Sequence, residues 1–214
     1  MLLAGILLMA KPALADSYYP YEIQGYDVTV KVGKDNVYHV TERLQVNFNQ
    51  ARHGIYRDIP VINNVSREDG STSRIQARVT NIKTYGEKRT VGREGSYCRI
   101  QLGDKNKTLV GEHMYHISYD YNMGKDVRKG EDEFYYNIIG TSWDTTIQNV
   151  TFHIMMPEDI DESKVGMAYG ESGSTNNEGL QYTINGKVME GYVDSSIILN
   201  PGEAVTVRMV LPDG

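Results

Sequence analysis

At 214 residues, with 40% hydrophobic and 23% charged residues, the chain has the composition of a folded globular protein and enough length for one substantial core or two small ones. A formal net charge of -6, with no lysine- or arginine-rich block to offset it, makes nucleic acid and anionic lipid surfaces poor partners. The 16 tyrosines, against 3 phenylalanines and 1 tryptophan, suit half-buried strand positions where the ring packs and the hydroxyl stays wet. They also suit a sugar- or peptide-binding surface.

The chain opens with an apolar run, residues 2 to 10, that is too short to cross a bilayer as a helix. Ala13-Leu14-Ala15 then has the small-x-small pattern of a signal-peptidase site, although no positive charge precedes the run. The expectation is a signal peptide over 1–15 and an exported mature chain starting at Asp16.

From there period-two alternation recurs and helical periodicity is nearly absent. Strands are predicted, in chain order, at YDVTVKV, VYHVTERLQVNF, GIYRDIPV, RIQARVTNIKTY, SYCRIQL, EHMYHISYDY, EFYYNIIG, IQNVTFHIMMP, LQYTI, KVMEGYV, SIILN and AVTVRMVLP. Turn-rich segments separate them, among them GKDN, NNVSREDGSTS, GEKRTVGREG and NMGKDVRKGED. Asn185-Gly186 is the strongest hairpin signal, because a type I′ turn needs two positive φ angles. PEDIDES is the one place for a helical turn or two. The prediction is an all-β protein, with one or two antiparallel, immunoglobulin-like β-sandwich units and little helix, over 16–214. GTSWDTT, where the alternation breaks near 140–146, marks a candidate sub-boundary.

Few residues carry a signature of chemistry. His113 and His116 fall on opposite faces of a strand, and His39 and His153 take polar positions, so no metal ligation is expected. No loop has the spaced carboxylates of a calcium site, and no cofactor is expected. No nucleophile elbow is present, and the single cysteine, Cys98, reads as a buried inert thiol that can form no intrachain disulfide. Paired carboxylates for glycan cleavage remain open, with Glu42, Asp58, Asp132, Glu133 and Asp144 as candidates and Trp143 beside them as an accessory.

The informative stretch is HGIYRDIP. Glu42 falls in the otherwise apolar row Tyr38, Val40, Leu44, Val46, Phe48, and Arg57 falls in the row with Ile55 and Ile59. Two inward charges of opposite sign should pair, because an isolated buried charge costs several kcal/mol. The expectation is a Glu42–Arg57 pair on neighbouring strands that locks their register, or else a charged ligand held between the two. Asp58 faces outward and is expected to satisfy turn amides near Pro60.

These residues also carry a resemblance. YDVTVKVGKDNVYHVTERLQVNFNQARHGIYRDIPV, with Val40-Thr41-Glu42 followed by Gly54 to Pro60, resembles the opening of a bacterial family of membrane proteins, domain of unknown function 2207. YHISYDY, DEFYYNIIGTSWDTTIQNVTFHIMMP and LNPGEAVTVRMVLPDG are similar to later parts of it; Tyr136 stands where that family's pattern has tryptophan. The resemblance implies a signal sequence, an extracytoplasmic β-rich domain and then transmembrane helices beyond Gly214, anchoring the domain at the outer face of the cytoplasmic membrane. It implies no catalytic residue. The function expected is therefore non-catalytic binding, sensing or scaffolding toward an envelope protein or glycan. The alternative is a cell-envelope glycan or peptide hydrolase.

Overall fold

In the computed structural model the described residues are 19–66, 72–124 and 132–211, so the expected leader and its cleavage site lie outside them. The largest element is a seven-stranded sheet in the order β13-β14-β11-β1-β2-β9-β6. It is built from β1 (Tyr21–Val32), β2 (Val37–Arg52), β6 (Arg78–Thr84), β9 (Leu109–Asn122), β11 (Val150–Met155), β13 (Leu180–Asn185) and β14 (Val188–Val193). Two three-stranded sheets share its core: β3 (Gly54–Pro60), β8 (Tyr97–Gly103) and β7 (Arg89–Glu94); and β10 (Asp132–Ile139), β15 (Ala204–Leu211) and β12 (Val165–Gly170). β4 (Ile62–Ser66) and β5 (Thr72–Gln76) pair as a separate hairpin, and a 3₁₀ turn occupies Glu162–Lys164, at the end of PEDIDES.

Alternation explains why these segments pack as they do. On β2, Tyr38, Val40, Glu42, Leu44, Val46 and Phe48 are all buried, while His39, Arg43 and Gln45 between them are exposed. The same parity buries Ile55, Arg57 and Ile59 on β3, and Tyr115, Ile117, Tyr119 and Tyr121 on β9. The buried apolar residues form one cluster drawn from all three of the larger sheets. The chain is thus almost wholly β, in several sheets around a shared core.

Several details depart from the sequence expectation. The β1–β11 pair is parallel, because the chain leaves the sheet after β9, builds β10, and re-enters beside β1. RIQARVTNIKTY is two strands, broken at Ala77, and SIILN contributes only a bridge between Leu199 and Ile147. RTVGRE, read as a turn, is strand β7. Its six residues are all exposed, so it has no alternation to read, and backbone pairing to β8 alone makes it a strand. β12, VGMAYG, was equally silent. The β13–β14 loop is Gly186-Lys187, with the positive φ on Gly186 and Asn185 paired to Val188, so the two positive φ angles of a type I′ turn are not there. GTSWDTT, the candidate sub-boundary, packs against the core. Trp143, Thr145 and Ile147 are buried, the Thr145 hydroxyl donates to the Tyr21 carbonyl, and Gly202 N donates to the Trp143 carbonyl at 3.0 Å.

The glycine of HGIYRDIP has a steric cause. Gly54 pairs with Gly103 at the start of the β3–β8 ladder, and both have positive φ, 133° and 137°. A Cβ on Gly54 would lie 1.8 Å from the Leu102 carbonyl oxygen. Backbone meets backbone there, so nothing flexible can yield. Gly54→Ala should therefore cost roughly 2–4 kcal/mol of strain and overpacking, read as a shift in the denaturant midpoint. Gly92→Ala on β7, where an added Cβ meets open space, should change stability little.

Candidate functional site

Glu42 is 0% exposed and Arg57 3%, and they meet between layers. β2 belongs to the large sheet and β3 to a facing one, so the pair does not set the register of neighbouring strands, as the sequence suggested. It clamps two sheets together. Arg57 Nε donates to Glu42 Oε2 at 2.9 Å and Oε1 at 3.2 Å, and Nη2 donates to Oε1 at 2.8 Å. The planar guanidinium fork matches the carboxylate with two roughly parallel bonds.

Neighbours on both flanking strands complete the cluster. Glu42 stands opposite Val28 on β1 and Ile117 on β9, so the inward diagonal positions are Tyr26 and Tyr119. Tyr26 donates its hydroxyl to Oε2 at 2.8 Å and Tyr119 donates to Oε1 at 2.6 Å. The Tyr136 hydroxyl, from β10, lies 3.3 Å from that of Tyr119. Arg57 Nη1 donates to the Asp58 carbonyl at 2.8 Å, and the guanidinium carbon sits 5.7 Å from the Trp143 ring centre. Trp143 in turn packs edge-on against Tyr26, centroids 5.7 Å apart.

The electrostatics follow from this geometry. Burial alone would raise the Glu42 carboxyl, but the Arg57 charge and the bonds from Arg57, Tyr119 and Tyr26 outweigh it and hold the group below its usual range. Burial, reinforced by the Glu42 carboxylate, pushes the phenols of Tyr26 and Tyr119 well above theirs. The cluster is therefore one anion, one cation and neutral phenols. It has no proton to exchange near neutrality.

The remaining candidates are dispersed. Asp58 does not cap turn amides; it stands directly opposite Arg99 on β8 and accepts from Nε at 2.8 Å and Nη2 at 2.7 Å, because a cross-strand guanidinium reaches it first. Glu133 accepts from Arg208 on β15, and Asp144 accepts the Tyr21 hydroxyl at 2.5 Å. Asp132 begins β10, beside Glu133. Cys98 is half-buried beside the core, and burial raises its thiol. No group of three histidine, cysteine or acidic side chains is placed to hold a metal among the described residues. Among the described residues, two of the open depressions have volumes of about 510 and 390 Å³. The first is lined by Asp27 as its one carboxylate, with Arg43, Gln45 and His153 among the other side chains; the second is lined by Ser163, Lys164 and Arg208 with no carboxylate. Neither presents the two carboxylates that glycoside cleavage needs.

Tyr26, Tyr119 and Tyr136 are the participants the sequence did not single out. Their hydroxyls are dry and bonded, not wet. The available signal was parity, since Tyr119 and Tyr136 occupy inward positions of their strands.

The fold and this site define an all-β domain whose central charges are turned inward and neutralised. Residues 22–211 match the N-terminal domain of the predicted membrane protein family DUF2207, and the chain belongs to that family. No curated protein matches the chain. Among solved structures it is similar to native leukotriene A4 hydrolase from Saccharomyces cerevisiae, at 6% identity and a TM-score of 0.49, covering 94% of this chain and 32% of that one. It is also similar to an M1 zinc metallopeptidase from Deinococcus radiodurans, at 12% identity and a TM-score of 0.43, covering 88% of this chain and 42% of that one. The chain spans less than half the length of either structure. Among the described residues, no helix is long and apolar enough to cross a membrane.

Two outcomes test the cluster. Arg57→Ala strands a buried carboxylate and should cost about 3–5 kcal/mol in chemical denaturation, whereas Glu42→Leu with Arg57→Met should be far milder, since an apolar pair of similar volume leaves no charge behind. The pH dependence has a definite sign. A depressed carboxyl contributes stability above its unfolded value, about 4.3, and loses it as pH falls through the folded value. The wild type should therefore lose stability more steeply below about pH 4.3 than the Leu/Met double variant, measured as unfolding free energy against pH.

Proposed function

We propose that this chain is a non-catalytic binding, sensing or scaffolding domain of a bacterial membrane protein, directed to an envelope protein or glycan. On this reading it sits at the outer face of the cytoplasmic membrane, exported by the leader over 1–15 and held by transmembrane helices on its C-terminal side. Membership of a membrane-protein family supports the anchored setting.

One observation carries the non-catalytic part: Glu42 and Arg57, the two charged residues buried in the core among the described residues, are paired with one another, and Glu42 accepts from its two tyrosine neighbours. A general acid or base must reach its substrate and hold a proton it can release. Glu42 does neither. Its cluster instead makes a rigid centre between two sheets, the kind of scaffold from which loops and sheet faces address partners.

The test is a pull-down from envelope extract with the wild-type chain, run beside turnover assays on cell-wall polymers. Saturable capture of an envelope component without turnover is the expected result. Turnover that disappears in Asp58→Ala, Glu133→Ala or Asp144→Ala, with folding intact by circular dichroism, would establish the hydrolase instead.

A further inference from the structure

The outer face of the seven-stranded sheet carries a row of side chains running across the strands. Tyr192 on β14 stands opposite Thr151 on β11, Thr151 opposite Asp27 on β1, Asp27 opposite Arg43 on β2, and Arg43 opposite His116 on β9. Tyr85, just past β6, stacks on His116 with ring centroids 4.0 Å apart. Both terminal tyrosines are open to solvent, Tyr192 at 49% and Tyr85 at 57%. The depression of about 510 Å³ lies on the middle of this row, lined by Asp27, Thr29, Arg43, Gln45, Met114 and Thr151 among others.

The trough has a structural origin. The β1–β2 register shifts between Ile23 and Gly25, and a bulge of this kind bends a strand and sharpens the local twist. Gly25, opposite Gln45, supplies no side chain of its own, and the Gln45 side chain lies against it at the edge of the depression.

Its chemistry selects the occupant. The charges compensate within the row: Arg43 Nη1 lies 3.4 Å from Asp27 Oδ1, Thr151 donates to Asp27 Oδ2 at 2.9 Å, and His153 Nε2 lies 3.7 Å from the same oxygen. Asp27 and Arg43 offset one another at the centre of the row, and the net charge of -6 opposes an anionic polymer. What remains is a carboxylate, a guanidinium, amides and hydroxyls able to bridge adjacent hydroxyl groups, between two flat aromatic rings. Five strand spacings separate β14 from β6, roughly 24 Å at about 4.8 Å each. A pyranose ring is comparable in length to one spacing, so a linear glycan laid along the row meets a new strand with each sugar.

We propose that this row, from Tyr192 through Asp27 and Arg43 to Tyr85, is a binding site for an extended, uncharged oligosaccharide with equatorial hydroxyls. The inference rests on the non-catalytic binding role above and names its site and ligand class. Tyr192 and Tyr85 stack on the terminal sugars, and Asp27, Arg43 and Gln45 hydrogen-bond the hydroxyls between them.

The experiment is calorimetric titration of the full chain with two probes, the β-1,4-linked hexamers of glucose and of N-acetylglucosamine. Saturable binding of at least one hexamer is expected, weakened tenfold or more by Tyr192→Ala and by Arg43→Ala. The corresponding trimer, too short to join both tyrosines, should bind at least tenfold more weakly. Tyr135→Ala, an exposed tyrosine on β10 in the facing layer, should leave binding unchanged. Absence of saturable binding to both hexamers overturns the proposal, and so does binding indifferent to Tyr192 and Arg43. Should the pull-down still capture an envelope protein in that case, the binding role survives and only the glycan site fails. If capture fails as well, both fall.

Discussion

The Glu42 carboxylate lies in the core with no exposed surface, and the arrangement around it depends on neutralising that charge. Uncompensated, it would cost several kcal/mol, a large fraction of the net stability of an ordinary domain. Arg57 must therefore arrive at one place, in one orientation, from a different sheet. Tyr26 and Tyr119 must aim their hydroxyls from the strands on either side. A cluster with such demands tolerates few alternative packings. An apolar replacement of similar volume would remove both charges but leave the buried Tyr26 and Tyr119 hydroxyls without their acceptor.

HGIYRDIP is the segment that meets those demands. Gly54 allows the β3 backbone to approach Gly103 closely enough to start the ladder. Alternation then turns Ile55, Arg57 and Ile59 inward, and Asp58 outward to Arg99. Arg57 also bonds the Asp58 carbonyl, and Ser142 bonds that same oxygen at 2.8 Å, which ties the 140–146 segment to the strand. Trp143, from that segment, closes over Arg57 and Tyr26. GTSWDTT is a strap packed against the core, with Trp143 and Thr145 turned inward and Thr141 and Asp144 exposed.

Function follows from where polarity is spent. Inside, the buried charges of the described residues, Glu42 and Arg57, match one another. Outside, the large sheet presents a broad polar face whose charges also compensate but remain in water. The family to which the chain belongs is described as a predicted membrane protein's N-terminal domain.

Much of this was legible in the residues themselves. Period-two alternation determined that the chain is β, which residues of β2, β3 and β9 turn inward, and that Glu42 and Arg57 are both buried, because side-chain parity is a local property of an extended backbone. Local pattern also marked Asn185-Gly186 as a hairpin, though not its turn type, since that depends on which residues the ladder takes up. Tertiary structure alone decided the rest. Which sheet each strand joins is a long-range choice, so Glu42 and Arg57, 15 residues apart, became a clamp between layers instead of a register lock. The parallel β1–β11 pair, the edge strand β7, the tyrosine hydroxyls on Glu42 and the row from Tyr192 to Tyr85 each join segments that share no local pattern. Parity says which way a side chain points, but only the packed sheets determine what it meets.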